Sequence, residues 1–494
     1  MLNYIRNLFN KKENQISALS IGYQPIIGKY IQCDPINADL TEPQRIYEDK
    51  SNLHFTIPNF DLAKTRLNNP SDYDSSQRIN CAMTLHRSID AFNKACLSQF
   101  GSLVPSWNSS INLKVFTKPG VAWNACYERG FLKFFYNTDQ TTKNIYYACD
   151  SAQVVAHECG HGLLDSLRPE FWNVQNAEAW SFHEAFGDIQ NLMTTSQSKE
   201  VVLSAFNETN GNLSKSNCMT RIAGQFGSAL NSTRNPPYLR DISMRFNYAS
   251  PNTLPGNSID AQLSSECHNF SRIFSGAWYS CVVQVYNSIK TTEMDTAAFE
   301  EAKNVCYRYL IKAIKTVPNT VKLFEALANM MLFADQENSS KYQKILSSVF
   351  LDRNIISPNI KMLSNKNIND VKNDLKKSNK TFMTVKKTDN YTYAHVQNHK
   401  KIKLSDHIVV ALSTQPDHPI YDADLIVANE SIFIYNKNNI LIHESDVDEQ
   451  ETIDEALRCV NTILNENMLD QFWFIEENQL KRIKADCGFN VCSH

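Results

Sequence analysis

The spacing of apolar residues changes along the chain and divides it into regions. Over residues 72–100 apolar side chains recur every three or four positions, which predicts an amphipathic helix. Residues 101–147 carry short runs rich in aromatic and β-branched residues, which predict strands at 111–115 and 131–136. Residues 1–72 show only short strand-like runs, so we treat them as an N-terminal extension.

Helical spacing follows the strand-rich region. Asp150 or Ser151 can cap a helix predicted over 152–167. Pro169 ends this helix, because the residue before a proline avoids the helical region. Further helices are predicted over 177–194 and 269–289, and on to about residue 351.

A change of composition separates the last quarter of the chain. Residues 357–380 are rich in Lys, Asn and Ser, which is typical of a solvated linker; nucleic-acid binding is a weaker interpretation. Beyond them, alternating runs and one helical stretch predict a small α+β domain, with elements at 382–385, 391–396, 408–412, 431–435, 452–464 and 472–475. We therefore expect a central domain over 73–357 and an accessory domain over 380–494, which could recruit substrates.

Composition places the chain among ordinary globular proteins. Of its 494 residues, 42% are apolar and 20% are charged, which allows a sizeable core. The net charge of -3 gives no general attraction to nucleic acid or anionic membranes. No apolar run approaches the length needed to span a bilayer, so we expect no stable membrane insertion.

The cysteines and the N-terminus indicate a compartment. The 13 cysteines are scattered without a CxxC pair, and residues 1–12 lack the unbroken apolar stretch of a secretory signal. We therefore expect reduced thiols in the cytoplasm, with export by a route independent of a signal peptide as the alternative.

The strongest chemical signal is an HExxH motif, His157-Glu158-Cys159-Gly160-His161, within the helix predicted over 152–167. Four helical residues advance about 6 Å and slightly more than one turn. His157 and His161 therefore project from one face and can bind one Zn²⁺ ion. Glu158 then lies beside the open coordination position, where it can act as general base on a zinc-activated water.

Zinc needs a third protein ligand, and the next predicted helix offers Glu184, 23 residues after His161. Asp188 lies one turn further on, where its carboxylate can accept the second N–H of a ligating histidine. Glu178 is the rival ligand, but no acidic residue follows it by one turn. His183 is a further candidate, although adjacent helical residues point about 100° apart and only one of the pair can face the metal.

Other zinc chemistries fit less well. A three-histidine site would need Gly and His at two positions that are occupied here by Leu164 and Leu167, which excludes that class. Cys159 and Cys267 lie next to candidate site residues, and thiolates do bind zinc. We interpret both as small buried residues rather than ligands.

The HExxH motif followed by Glu184-Ala185-Phe186-Gly187-Asp188 resembles the thermolysin-like zinc metallopeptidases, or gluzincins. The resemblance covers about residues 75–355. It implies an α+β fold of two lobes, β-rich up to the HExxH helix and α-helical after it, with the cleft between them. It also implies hydrolysis of internal peptide bonds in a protein or peptide substrate.

The same resemblance assigns a catalytic role to His268. Residues 267–279 are similar to the family's helix carrying the histidine that hydrogen-bonds the tetrahedral intermediate. The resemblance also implies an arginine that binds the substrate carbonyl, an edge strand along which the peptide lies, and an apolar S1′ pocket. Those substrate-binding positions are matched by Arg240, by Asn124 and Ala125, and by Val154 and Leu239, respectively.

The chain also departs from the family pattern. The tyrosine that helps to hold the oxyanion, between the second histidine and the third ligand, is missing. Gln153 and residues 195–197 stand where calcium-binding acidic residues would be, so we expect no calcium cluster. The carboxylate that orients the family's counterpart of His268 is not matched in place, although Glu266 and Asp260 lie close in sequence.

The sequence therefore predicts a zinc metalloendopeptidase. Two other hypotheses stay open: an interaction protein on a decayed peptidase scaffold, and zinc-dependent hydrolysis of a non-peptide substrate. Measuring bound zinc in freshly purified protein separates the first alternative from an enzyme.

Overall fold

The computed structural model describes residues 53–356, with gaps at 59, 61–72, 105, 109–111, 140–141, 174–176, 231–237, 259–260 and 318–321, together with short strands outside this range. The described part is a mixed helix and sheet structure. Its strands before residue 356 are β1 (Lys29–Ile31), β2 (Thr41–Pro43), β3 (His54–Thr56), β4 (Asn112–Phe116), β5 (Ala125–Glu128), β6 (Phe131–Phe134), β7 (Tyr136–Thr138), β8 (Ile145–Tyr147), β9 (Arg221–Ile222) and β10 (Arg240–Asp241).

Helices make up most of the chain after residue 150. They are α1 (Tyr73–Phe100), α2 (Ala152–Leu167), α3 (Glu170–Asn173), α4 (Ala177–Thr195), α5 (Lys199–Thr209), α6 (Gly224–Leu230), α7 (Cys267–Phe270), α8 (Arg272–Ile289), α9 (Thr296–Thr316), α10 (Leu323–Glu337) and α11 (Gln343–Asp352). The helix expected over 269–289 is divided at Ser271, where α7 ends and α8 begins.

Five of the C-terminal strands fall on runs predicted from the sequence, at 382–385, 391–396, 408–412, 431–435 and 472–475, and four further strands were not predicted. The C-terminal strands are β11 (Phe382–Val385), β12 (Tyr393–Val396), β13 (Ile408–Ala411), β14 (Asp424–Ala428), β15 (Ser431–Tyr435), β16 (Leu441–Asp446), β17 (Trp473–Glu476), β18 (Gln479–Arg482) and β19 (Cys487–Gly488). The helix expected at 452–464 lies outside the described residues.

One five-stranded sheet lies beside the HExxH helix, with the order β19-β5-β6-β4-β3. β3, β4 and β6 run parallel to one another, and β5 runs antiparallel to β6. β4 alternates exposed and buried positions, with Leu113 and Val115 fully buried, so one face of the sheet packs on the core. This packing places β5 against α2.

The HExxH helix α2 and the following long helix α4 pack closely because glycines meet at their contact. A Cβ atom on Gly160 would lie 2.9 Å from Cα of Gly187. A Cβ atom on Gly187 would lie 2.6 Å from Cε1 of His157. Real side chains do not approach so closely, so only glycine at both positions lets the helices hold their polar residues face to face.

Helices in the described part of the chain are all too short or too polar to cross a membrane.

Candidate metal centre

Helix α2 carries the HExxH motif through the core. Its first turn is capped by Ser151, whose hydroxyl accepts a hydrogen bond from the Val154 amide. Its C-terminal end is held by Arg168, whose buried guanidinium donates to the carbonyl oxygens of Ile314 and Val317. Every residue of α2 is buried, which fixes the direction of the motif's side chains.

Three side chains bring their ligand atoms to one point. Nε2 of His157 lies 3.2 Å from Nε2 of His161. The carboxylate of Glu184 lies 3.3 Å from the first nitrogen and 3.5 Å from the second. Zinc bonds of about 2.0–2.1 Å at tetrahedral angles place ligand atoms about 3.3–3.4 Å apart. The three residues therefore have the spacing of a zinc-binding set.

Two buried polar atoms around this point make no hydrogen bond within the described structure. Oε2 of Glu184 has nitrogens of His157, Arg240 and His268 within 3.6 Å, yet makes no hydrogen bond of acceptable geometry within the described structure. Nδ1 of His161 is likewise buried without a described partner. Because unsatisfied buried polar atoms are costly, this arrangement fits a cation held between the side chains.

A second layer of contacts orients the first histidine. Oδ1 of Asp188 lies 2.9 Å from Nδ1 of His157, which fixes the ring so that Nε2 points toward Glu184. Arg240 holds Asp188 in turn, with Nη2 2.8 Å from Oδ1 and Nε 3.0 Å from Oδ2. The predicted position of Asp188 one turn after Glu184 therefore brings it to its expected partner.

Glu158 is buried on the same helix and neither of its oxygens has a hydrogen-bond partner among the described residues. Burial is the main reason that its pKa is raised, to about 8; the charge of Glu184 raises it further, whereas His157, the Tyr127 backbone amide and His268 lower it. A carboxyl group in this state is suited to accept and return a proton.

His268 lies on α7 and faces the same centre, with Nε2 3.4 Å from Oε2 of Glu184. Its other ring nitrogen, Nδ1, lies 2.5 Å from Oε1 of Glu266. Glu266 also caps α7 by accepting hydrogen bonds from the amides of His268 and Asn269. Burial alone would lower the pKa of His268, but the neighbouring Glu184, Cys267 and Glu266 raise it well above its usual value.

The rival ligands occupy other positions. Glu178 accepts a hydrogen bond from the Tyr248 hydroxyl at 2.7 Å and one from the Phe324 amide at 2.6 Å, so it connects α4 to α10. The ring of His183 packs 5.8 Å from that of His161 and 5.4 Å from that of Trp172. Glu184 is thus the acidic residue of α4 whose carboxylate lies within 3.5 Å of both His157 and His161.

The two neighbouring cysteines differ in exposure. Cys159 is fully buried and burial raises the pKa of its thiol far above the usual range. Cys267 is half-buried, with Sγ 3.5 Å from Nδ1 of His268. Burial likewise raises the pKa of the Cys267 thiol, to about 11. Neither thiol has the low pKa of a ready metal ligand.

The residues matched to the family's peptide-binding strand lie at one end of β5. Asn124 precedes the strand and its Oδ1 is buried without a partner in the described part of the chain. Ala125 is fully buried. Val154 lies on α2 one turn before His157 and is also buried, while Leu239 packs half-buried on the core beside Arg240.

A single carboxylate joins β5 and the turn after it to the HExxH helix α2. Asp165 of α2 accepts a hydrogen bond from the Tyr127 hydroxyl at 2.9 Å. It also accepts one from Nη2 of Arg129 at 2.8 Å, and Asn108 donates to it from 3.3 Å. Sequence reasoning missed this residue; the only signal was an acidic side chain at helical spacing from the second histidine.

The positions expected to lack calcium-binding acids carry internal hydrogen bonds. The Gln153 amide donates to the carbonyl oxygens of Cys218 and Arg221, and its oxygen accepts from the Ala223 amide. The Lys303 ammonium donates to the carbonyl and hydroxyl oxygens of Ser196. The Gln153 side chain thus bonds to backbone groups of residues 218–223, and the Lys303 ammonium bonds to Ser196.

Comparison with models of known protein families gives no match, and comparison with curated proteins gives no significant match.

Proposed function

We propose that this protein is a zinc metalloendopeptidase of the thermolysin-like kind. The observation that carries the proposal is the convergence of His157, His161 and Glu184, with ligand atoms 3.2–3.5 Å apart, beside the unpartnered carboxylate of Glu158. The two-lobed fold is part of the same proposal; the structure itself shows strands in the segment before α2 and mostly helices between α2 and residue 356.

Zinc, when held by these three residues, would polarise the scissile carbonyl and lower the pKa of the attacking water. Glu158 takes the proton from that water and returns it to the leaving amine. His268, fixed by Glu266, donates from Nε2 to the developing oxyanion, and Arg240 binds the substrate carbonyl. The backbone of β5 aligns an extended peptide across the site, with Asn124 at its end.

Glu158→Gln tests this mechanism because it removes the base and keeps the ligands. We expect zinc content and fold to be retained while kcat on an unstructured fluorogenic peptide falls by at least about 10²–10⁴-fold. Zinc is measured by atomic emission and fold by circular dichroism. Retained turnover in this variant would rule out Glu158 as the base. A wild-type protein purified without zinc would favour the interaction-protein alternative.

We also propose a reducing, cytoplasm-like compartment. The nine cysteines within residues 53–356 form no disulfide with one another, which is consistent with this assignment. Fractionation of cells with an antibody against the protein tests it, and recovery of disulfide-bonded protein from the secreted fraction would contradict it.

A further inference from the structure

Strand β5, the proposed peptide-binding strand, has neighbours on both sides. On its inner side it pairs with β6, with Ala125 opposite Phe134 and Glu128 opposite Phe131. On its outer side it pairs with β19 near the C-terminus, with Cys487 opposite Tyr127 and Gly488 opposite Cys126. Without β19, β5 would be an edge strand with open backbone donors and acceptors.

The paired stretch lies directly beside the candidate catalytic residues. The Tyr127 hydroxyl donates a hydrogen bond to Asp165 on the HExxH helix at 2.9 Å, and β5 packs against that helix. Because the pairing is antiparallel, β19 runs along the outer side of β5 in the direction from Tyr127 to Cys126. The C-terminal segment thus has the orientation in which an extended peptide would add to this edge.

We infer that the C-terminal segment is an internal ligand of the peptide-binding edge, and that β19 takes the place of a substrate's backbone. This inference rests on the proposed function. The ligand class is an extended peptide backbone, recognised by main-chain hydrogen bonds, since Gly488 contributes no side chain. A pairing of only two residues is short enough for a substrate to displace.

The inference has a measurable kinetic consequence. A tethered segment competes at an effective concentration in the millimolar range, without any external inhibitor. If the segment occupies the edge in about nine molecules of ten, the apparent KM for a short peptide is raised about tenfold. The segment leaves the metal ligands and Glu158 unchanged, so kcat at saturating peptide is not affected.

A disulfide at the paired position tests occupancy independently of activity. Residues directly opposite in an antiparallel pair have Cα atoms about 4.5–5.5 Å apart, within reach of a disulfide. In the full-length Gly488→Cys variant, mild oxidation should therefore join the introduced thiol to Cys126, as mapped by peptide mass spectrometry. The wild type is the matched control, because Cys487 is paired with Tyr127 rather than with Cys126 and should not crosslink to Cys126.

Kinetics on a short fluorogenic peptide test the competition. Oxidised Gly488→Cys should lose peptide hydrolysis and regain it on reduction. Deletion of residues 487–494 should lower KM about tenfold with kcat and zinc content unchanged.

The outcomes separate the two proposals. Absence of the Cys126 crosslink, or an unchanged KM after deletion of a folded protein, would overturn the internal-ligand inference while hydrolysis by the wild type upholds the proposed function. If the crosslink forms but neither the wild type nor any variant hydrolyses the peptide, the proposed function is overturned. The competition with substrate is then overturned as well, while the pairing of β19 with β5 is upheld.

Discussion

Oε1 of Glu266 lies 2.5 Å from Nδ1 of His268, two residues further along the chain. Glu266 therefore provides a carboxylate beside the His268 ring, although no carboxylate matched the family pattern at the expected position in the sequence. Asp260, the other candidate, lies outside the described residues. Glu266 therefore both caps α7 and sets the direction in which Nε2 of His268 points.

Glu266→Gln should reduce kcat about 10- to 100-fold with zinc content unchanged, because residues that orient catalytic groups contribute on this scale. Glutamine keeps an oxygen to accept from the helix amides, so the cap survives while the charge is lost. Glu293→Gln, at an exposed carboxylate, is the control.

A double-mutant cycle identifies the role of Glu266 as positioning. His268→Ala alone should lower kcat about 10²–10³-fold, and adding Glu266→Gln should then have almost no further effect, since the two residues act as one unit. Fully additive losses would show that Glu266 acts through another group.

Glu184→Ala should strongly lower zinc occupancy, whereas Glu178→Ala should not, because only Glu184 meets both histidines. Glu178→Ala leaves the Phe324 amide without its acceptor. Its free energy of unfolding should fall by about 1–3 kcal/mol with zinc still bound. Zinc titration and chemical denaturation measure the two effects, and the reverse pattern would identify Glu178 as the ligand.

Gly187→Ala should weaken zinc binding although it replaces none of the proposed ligands. The added methyl would lie 2.6 Å from Cε1 and 2.7 Å from Nδ1 of His157, so the ring must move. We expect the zinc dissociation constant to rise at least about tenfold in chelator competition. Gly256→Ala is the control, since nothing lies within 4 Å of its position. Equal affinities in both variants would contradict this close packing.

A chain ended at residue 365 should fold, bind zinc and cleave a short unstructured peptide, because all the proposed zinc ligands precede this residue. Activity on a folded natural target should fall, mainly through KM, if residues 380–494 recruit it. Solubility, zinc content and peptide turnover are the measurements. Aggregation or loss of zinc would show that the strands from β11 onward belong to the core.

The sequence was most informative where local signals decide the structure. The Ser151 cap and Pro169 define α2, which spans residues 152–167 as expected. Glu184 and Asp188, one helical turn apart, both contact His157, as their spacing predicted.

Other features depend on contacts between distant segments and could not be predicted. The partners of Glu178 lie 70 and 146 residues away. The pairing of β19 with β5 joins residues 487 and 127, and a two-residue strand has no periodicity to recognise. The division of the 269–289 helix at Ser271 was missed because no proline or glycine marks it.

Asp165 lies on the same helix as His157 and His161 and accepts hydrogen bonds from Tyr127 of β5 and from Arg129 in the turn that follows β5. The distance from the proposed metal ligands to the proposed peptide-binding strand is therefore set by helix geometry, about 1.5 Å per residue, rather than by a loop. The bond that is cut in a bound peptide would then lie at a fixed position along the strand. Changes in loop sequence would alter which peptides are accepted, while the point of scission would stay the same.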